Sequence, residues 1–103
     1  MLRVNYYKGG NAYSDFNVEK VVEDFIERVD YKNYDYEINT STENIIYAVR
    51  VAIYKGLLDY NHVVLYTDAD TIKFDKNARA VNGNYPNTYI EDALFTLIGI
   101  DKN

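Results

Sequence analysis

Cysteine is absent from the 103 residues. That excludes disulfides and thiolate metal sites, and it fits a reducing compartment, so the cytoplasm is the expected location. A single histidine all but excludes multi-histidine zinc sites and leaves a Ser-His-Asp triad no spare imidazole. Basic charge is also scarce. Eleven Lys and Arg face 16 Asp and Glu, a formal net charge of −5. A duplex-DNA binder carries a basic stripe, and none is visible, so no direct nucleic-acid contact is expected. No apolar run approaches the ~20 residues that span a bilayer, and the opening "MLRVNYYKGG" lacks the apolar core of a signal peptide. Neither membrane insertion nor a cofactor is expected.

What is present belongs to a folded domain. Hydrophobic residues make up 48% of the chain, well above the level at which a chain stays disordered. The length suits one core, so residues 1–103 read as a single domain. Twelve tyrosines, a single proline and abundant Asn, Lys, Ile and Asp match the composition of AT-rich genomes, such as Firmicute chromosomes and their phages.

The spacing of apolar residues gives the elements. "LRVNYY", Leu2 to Tyr7, is rich in β-formers and reads as a strand. Gly9-Gly10 then breaks it into a loop. From Val18, the residues Val18, Val21, Val22, Phe25, Ile26 and Val29 recur at helical spacing, with charged residues between them and Asn17 as the cap. Tyr34, Tyr36 and Ile38 alternate as in a half-buried strand. "TSTE" fits a capping box, with Thr40 as N-cap and Glu43 at N3. The helix it starts, from Ser41 to about Leu57, is apolar nearly all round, interrupted by Asn44, Arg50 and Lys55. "HVVLYT" and "TIKFD" read as a hairpin around "DAD". Residues Thr88 to Ile98, capped by Asn87 and ended by Gly99, read as a last helix. The expected fold is α/β, with α+β as the alternative: a small mixed sheet with three helices in the order β-α-β-α-β-β-α. A crossover between the first two strands favours their parallel pairing.

The segment "INTSTENIIYAVRVAIYKGLLDYNHVVLYTDADTIKF" and the later "NARAVNGNYP" resemble the C-terminal part of ABC/SMC-like ATPase domains of bacterial defence systems and overcoming-lysogenisation-type nucleases. The resemblance is best over residues 36–86; over 1–35 it covers only the order of elements. It implies a Walker B strand ending near Asn5 to Tyr7, an acidic residue at Asn39 and a switch histidine at Ser41. The chain departs from the family at each of these places. It has "NYY" where carboxylates belong, an amide at Asn39 and a hydroxyl at Ser41. No G-x-x-x-x-G-K-[ST] phosphate loop is present. ATP hydrolysis needs a cradle, a magnesium carboxylate and a water-positioning base, so the resemblance implies a scaffold without that chemistry.

The remaining constellations are modest. Asp68, Asp70 and Asp75 are close in sequence. Asp68 and Asp70 are candidate metal ligands, against the commoner reading of a solvated turn. His62 reads as structural or surface, with no nucleophile beside it. Tyr31 and Tyr34 flank a turn and are candidate partner-binding anchors. Glu23 and Glu27, on the acidic face of the helix from Val18, are further partner-binding candidates, against the plainer reading of a solvated face. The expected function is a non-catalytic, acidic protein-binding module. It would be a phage or mobile-element accessory protein that inhibits or decoys a larger host protein in defence or nucleic-acid processing, with homodimerisation open. The alternatives are an acidic nucleic-acid mimic blocking a nuclease channel and a small carboxylate- or metal-dependent enzyme.

Overall fold

A computed structural model describes residues 1–12, 18–68 and 70–81. These form strand β1 (Leu2–Asn11), helix α1 (Val18–Arg28), strand β2 (Tyr36–Thr40), helix α2 (Glu43–Tyr54), a 3-10 turn (Tyr60–His62), and strands β3 (Val63–Tyr66) and β4 (Thr71–Ile72). The expected α/β class, mixed sheet and element order hold over this range. The expected cap at Asn17 and the third helix over 88–98 lie outside the described residues.

The sheet has four strands in the order β2-β1-β3-β4. β1 pairs in parallel with both β2 and β3, and β3 pairs with β4 antiparallel. Alternation along each strand separates two faces. On one face, Ile38, Val4, Leu65 and Ile72 stand side by side across all four strands, and all four are buried in the core. One residue along, Asn39, Asn5, Tyr66 and Thr71 form a polar row on the opposite face. Val64 shares that second face, beside Arg3. It is buried yet stands outside the core cluster.

Helix α1 buries Val18, Val22 and Ile26, one residue per turn. The face is narrower than the spacing predicts: Val21 is 45% exposed, while Phe25 and Val29 are only partly buried against the core. Phe25 meets Tyr36 edge to face, with ring centroids 6.1 Å apart. Helix α2 packs on α1 and buries residues on every side, Ile45, Ile46 and Ala48 to Ile53. It closes in a Schellman turn: Gly56 N–H bonds the Ile53 carbonyl at 3.0 Å and Leu57 N–H bonds that of Ala52 at 2.9 Å. Gly56 takes a φ of 79°, which suits glycine.

Several boundaries differ from expectation: β2 begins at Tyr36 and leaves Tyr34 in the turn before it, α2 runs from Glu43 to Tyr54 and not from Ser41 to about Leu57, and β4 keeps only Thr71 and Ile72 of "TIKFD". β1 runs through Gly9-Gly10 to Asn11. A Cβ on Gly10 would stand 2.4 Å from the Thr40 carbonyl carbon, so this glycine permits a close strand approach and breaks nothing. Thr40 is the last residue of β2 and fully buried, not the cap of α2. Its hydroxyl accepts from Thr42 N–H at 3.1 Å and lies 3.2 Å from the Asn11 carbonyl. The N-cap position passes to Thr42, whose side chain makes no capping bond.

Candidate functional site

Two concave surfaces mark the described residues. The first is a crevice of about 390 Å³ lined by Tyr6, Tyr7, Lys8, Ser41, Thr67 and Asp68. It lies just beyond the carboxyl ends of β2 and β3, against Tyr6 to Lys8 in the middle of β1, on the side where open α/β sheets commonly bind ligands. Here the strand order reverses around β1. The positions named by the ATPase resemblance meet at this end of the sheet. Asn5 and Asn39 pair across neighbouring strands, with one amide donating to the other at 2.9 Å. Tyr6, Tyr7 and Ser41 line the crevice beyond them. Two neutral amides hold one another and offer neither a base nor a negative charge. Lys8 and Asp68 are exposed. The sole histidine, His62, precedes the amino end of β3, at the far end of that strand from the crevice. The lining thus offers hydroxyls, one ammonium and one carboxylate.

The second surface is a groove of about 410 Å³ at the carboxyl end of α2. Its lining includes Ile53, Leu57, Leu58 and Tyr60 from that helix end and the segment after it, with Tyr31 and Lys32 from an earlier turn and Lys76 from a later one. The Schellman turn sends the two leucines opposite ways: Leu58 is 2% exposed, Leu57 50%. Tyr60 stays 37% exposed.

The first of the two turns follows from Asp30. Its carbonyl accepts from Asn33 N–H at 3.2 Å and Tyr34 N–H at 2.9 Å, and its carboxylate accepts from the Asn33 amide. This is the turn expected between Tyr31 and Tyr34, but the two tyrosines part company. Tyr34 is 65% exposed and remains available as an anchor. Tyr31 is 8% exposed, and its hydroxyl accepts the Asp59 backbone N–H at 3.0 Å. It therefore pins two segments together, and of the pair, at least one of which is expected to be exposed, Tyr34 is the exposed one.

Asp59 holds the groove's carboxylate. Its side chain caps the 3-10 turn by accepting from Asn61 N–H at 3.0 Å. That bond, with smaller help from His62 and Lys32, outweighs desolvation and holds its carboxyl below the usual aspartate range. Lys32 stands 3.9 Å away and His62 4.0 Å.

The other expected site residues are dispersed. Glu23 lies 3.5 Å from Lys55, which also reaches Glu19 at 4.0 Å. Glu27 is exposed on the outer face of α1. Asp68 lines the crevice, whereas the main chain of Asp70 closes a turn with Thr67, its N–H donating to the Thr67 hydroxyl at 2.9 Å. The Asp75 carboxylate accepts from Asn77 and Arg79 N–H groups. Among the described residues, no three acids or histidines gather where they could hold a metal ion. Nor is any described helix long and apolar enough to cross a membrane.

The groove itself escaped sequence reasoning, although "KGLLD" held its signal. Two adjacent leucines after a helix-ending glycine cannot both enter one core. No protein-family model matches the chain, and neither does any curated protein or solved structure.

Proposed function

We propose that the protein is a non-catalytic protein-binding module that engages a larger protein through the groove at the end of α2. The observation that carries this reading is the clustering of exposed apolar side chains there. The exposed Leu57 and Tyr60 line it together with the buried Ile53 and Leu58, which make its apolar floor. The turn that supplies Tyr31 and Lys32 to the groove ends in the exposed Tyr34. Single exposed apolar residues are ordinary, but a concave cluster of them, rimmed by charge, is the usual anatomy of a recognition site.

The strand-end crevice supports the non-catalytic half of the proposal. The reading takes the chain as a degenerate relative of the ATPase scaffold it resembles. Where that family has carboxylates and a switch histidine, this chain places the Asn5–Asn39 amide pair and Ser41. Nucleophilic catalysis by the hydroxyls lining the crevice needs a base within reach of one of them. Asp68 and Lys8, the charged groups of the lining, are both exposed.

The test is affinity capture from a host lysate with the wild type and with a Leu57→Asp/Tyr60→Ala variant in parallel. A partner retained by the wild type and lost by the variant, at an unchanged melting temperature, supports the reading. Capture that survives the variant removes the groove from it. Steady turnover of ATP or another small molecule by the purified protein would replace it with an enzyme.

A further inference from the structure

The groove differs in charge from the molecule around it. The chain as a whole is acidic, at −5, which by itself favours a basic partner. The groove lining reverses that sign, with Lys32 and Lys76 against Asp59 alone. Asp59 is also spoken for. It accepts the Asn61 N–H and lies within 4.0 Å of His62 and 3.9 Å of Lys32. Lys32 is 57% exposed in that long ion pair, so a solvated contact of little strength is all a ligand would need to displace. Lys76 is exposed and makes no ion pair among the described residues. The two lysines come from separate segments, the turn after α1 and the loop after β4, and both line the groove beside the exposed Leu57 and Tyr60.

Resting on the protein-binding reading above, we infer that this groove takes an acidic peptide segment of the partner, one large apolar side chain seated on Leu57 and Tyr60 with Asp or Glu residues beside it meeting Lys32 and Lys76. The volume of about 410 Å³ lies within the range of sites that enclose a small ligand or a few side chains. The apolar floor supplies the affinity. The lysines supply selectivity and association rate, because charges at a wet rim steer more than they bind. The acids of α1 do not compete for the groove from within. Glu19 and Glu23 are held near Lys55, which is not among the groove's lining residues. A basic segment, by contrast, would bring like charges against two lysines and find one carboxylate already engaged.

The experiment is selection from a displayed random-peptide library on the purified full chain, followed by binding of the best peptide by fluorescence polarisation. Enriched peptides should carry a Leu, Phe or similar residue with Asp or Glu close by. Lys76→Glu should weaken the best peptide about tenfold, and Leu57→Asp at least as much. Repeating the selection on a Lys32→Glu/Lys76→Glu variant should turn the preference from acidic to basic flanks, a reversal that a structural role for the lysines would not give. Thermal melts confirm that each variant folds; if the double variant does not, Lys76→Glu alone carries the test. Basic or charge-indifferent peptides from the wild type overturn the inference. So do peptides whose affinity ignores Lys76→Glu and Leu57→Asp, and so does equal binding to anionic lipid vesicles. Those outcomes leave a protein-binding module standing if lysate capture is still lost in Leu57→Asp/Tyr60→Ala. Failure to enrich any peptide, together with no captured partner, removes both.

Discussion

Arg50 is a cation with no exposed surface inside an apolar helix. Its Nε donates to the Ala78 carbonyl at 2.7 Å, and its guanidinium carbon lies 5.6 Å from the centre of the Phe74 ring. One side chain thereby fastens the loop after β4 onto α2, at a point where Ala78 is itself fully buried with a φ of 64°. Charged side chains enter a core only when their bonds repay desolvation. Arg50→Ala should therefore cost about 3 kcal/mol or more, the sum of a charge-assisted bond and a cavity. Arg50→Met keeps the volume and should cost less, and urea denaturation of the pair separates the two contributions. In the sequence, Arg50 reads as an interruption of an apolar helix. Its neighbours Val49 and Val51 carried the hint, since both sides of the position are buried. A second residue-scale expectation concerns acid. Folding lowers the Asp59 pKa, so it favours the charged carboxyl. The stabilisation is complete above the ordinary aspartate value of about 3.9 and fades as pH falls through the lower folded value. Asp59→Asn keeps a capping side chain. It should flatten the loss of melting temperature below about pH 4 and leave the neutral-pH response nearly unchanged; an identical acid limb in both proteins would contradict this.

At the scale of elements, β1 and β2 approach closely where Gly10 passes Thr40. Gly10→Ala places a methyl group against main chain that no rotamer can move aside. A cost of about 1–3 kcal/mol is expected, read from denaturant midpoints, while Gly9→Ala meets the Tyr7 ring at 3.2 Å, a movable side chain, and should cost less. Equal effects at the two glycines would mean the strands do not close there. This pair also shows where the sequence stops being informative. Local pattern alone gives a glycine the same weight as a loop breaker or as a point of close approach, and only the partner strand decides. Likewise Thr40 and Glu43 have capping-box spacing, yet β1 claims Thr40 as the end of β2, in register with Tyr6 and Asn11. The strongly periodic features were legible: the strand from Leu2, the helix from Val18, the mixed sheet. Phe25 was the exception on that helix. It sits at the edge of the buried stripe against Tyr36, so Phe25→Ala should cost nearer 2 kcal/mol than the roughly 3–5 kcal/mol of full burial. The sites were less legible, because they join residues distant in sequence. Tyr31 meets Asp59 across 28 positions, and nothing local distinguishes it from the exposed Tyr34.

At the scale of the molecule, burial is unequal, and that sets an order of opening. α2 is buried over Ile45, Ile46 and Ala48 to Ile53, whereas α1 buries Val18, Val22 and Ile26 along one stripe. β1 is flanked on both sides over Leu2 to Asn5, while β4 holds two residues at the sheet edge. Amides exchange with solvent through the least costly opening available, so regions of dense burial wait for global unfolding. Native-state hydrogen exchange should place Ala48 to Ile53 and the doubly flanked part of β1, Leu2 to Asn5, in the slowest class. α1 should follow through a sub-global opening, and Thr71 and Ile72 should exchange first. The order matters for recognition, because the groove floor is Ile53 and Leu58, at the end of α2, the more deeply buried of the two described α-helices. A floor that opens only with the whole molecule is preorganised, and a ligand bound there loses little affinity to ordering it. The Schellman turn at Gly56 is the point to watch. If the Leu57 and Leu58 amides exchange with the slow class, the groove is a fixed shape and its variants can be read as changes in contact. If they exchange early while Ala48 to Val51 stay protected, the end of α2 frays, and binding there would have to include the cost of folding it.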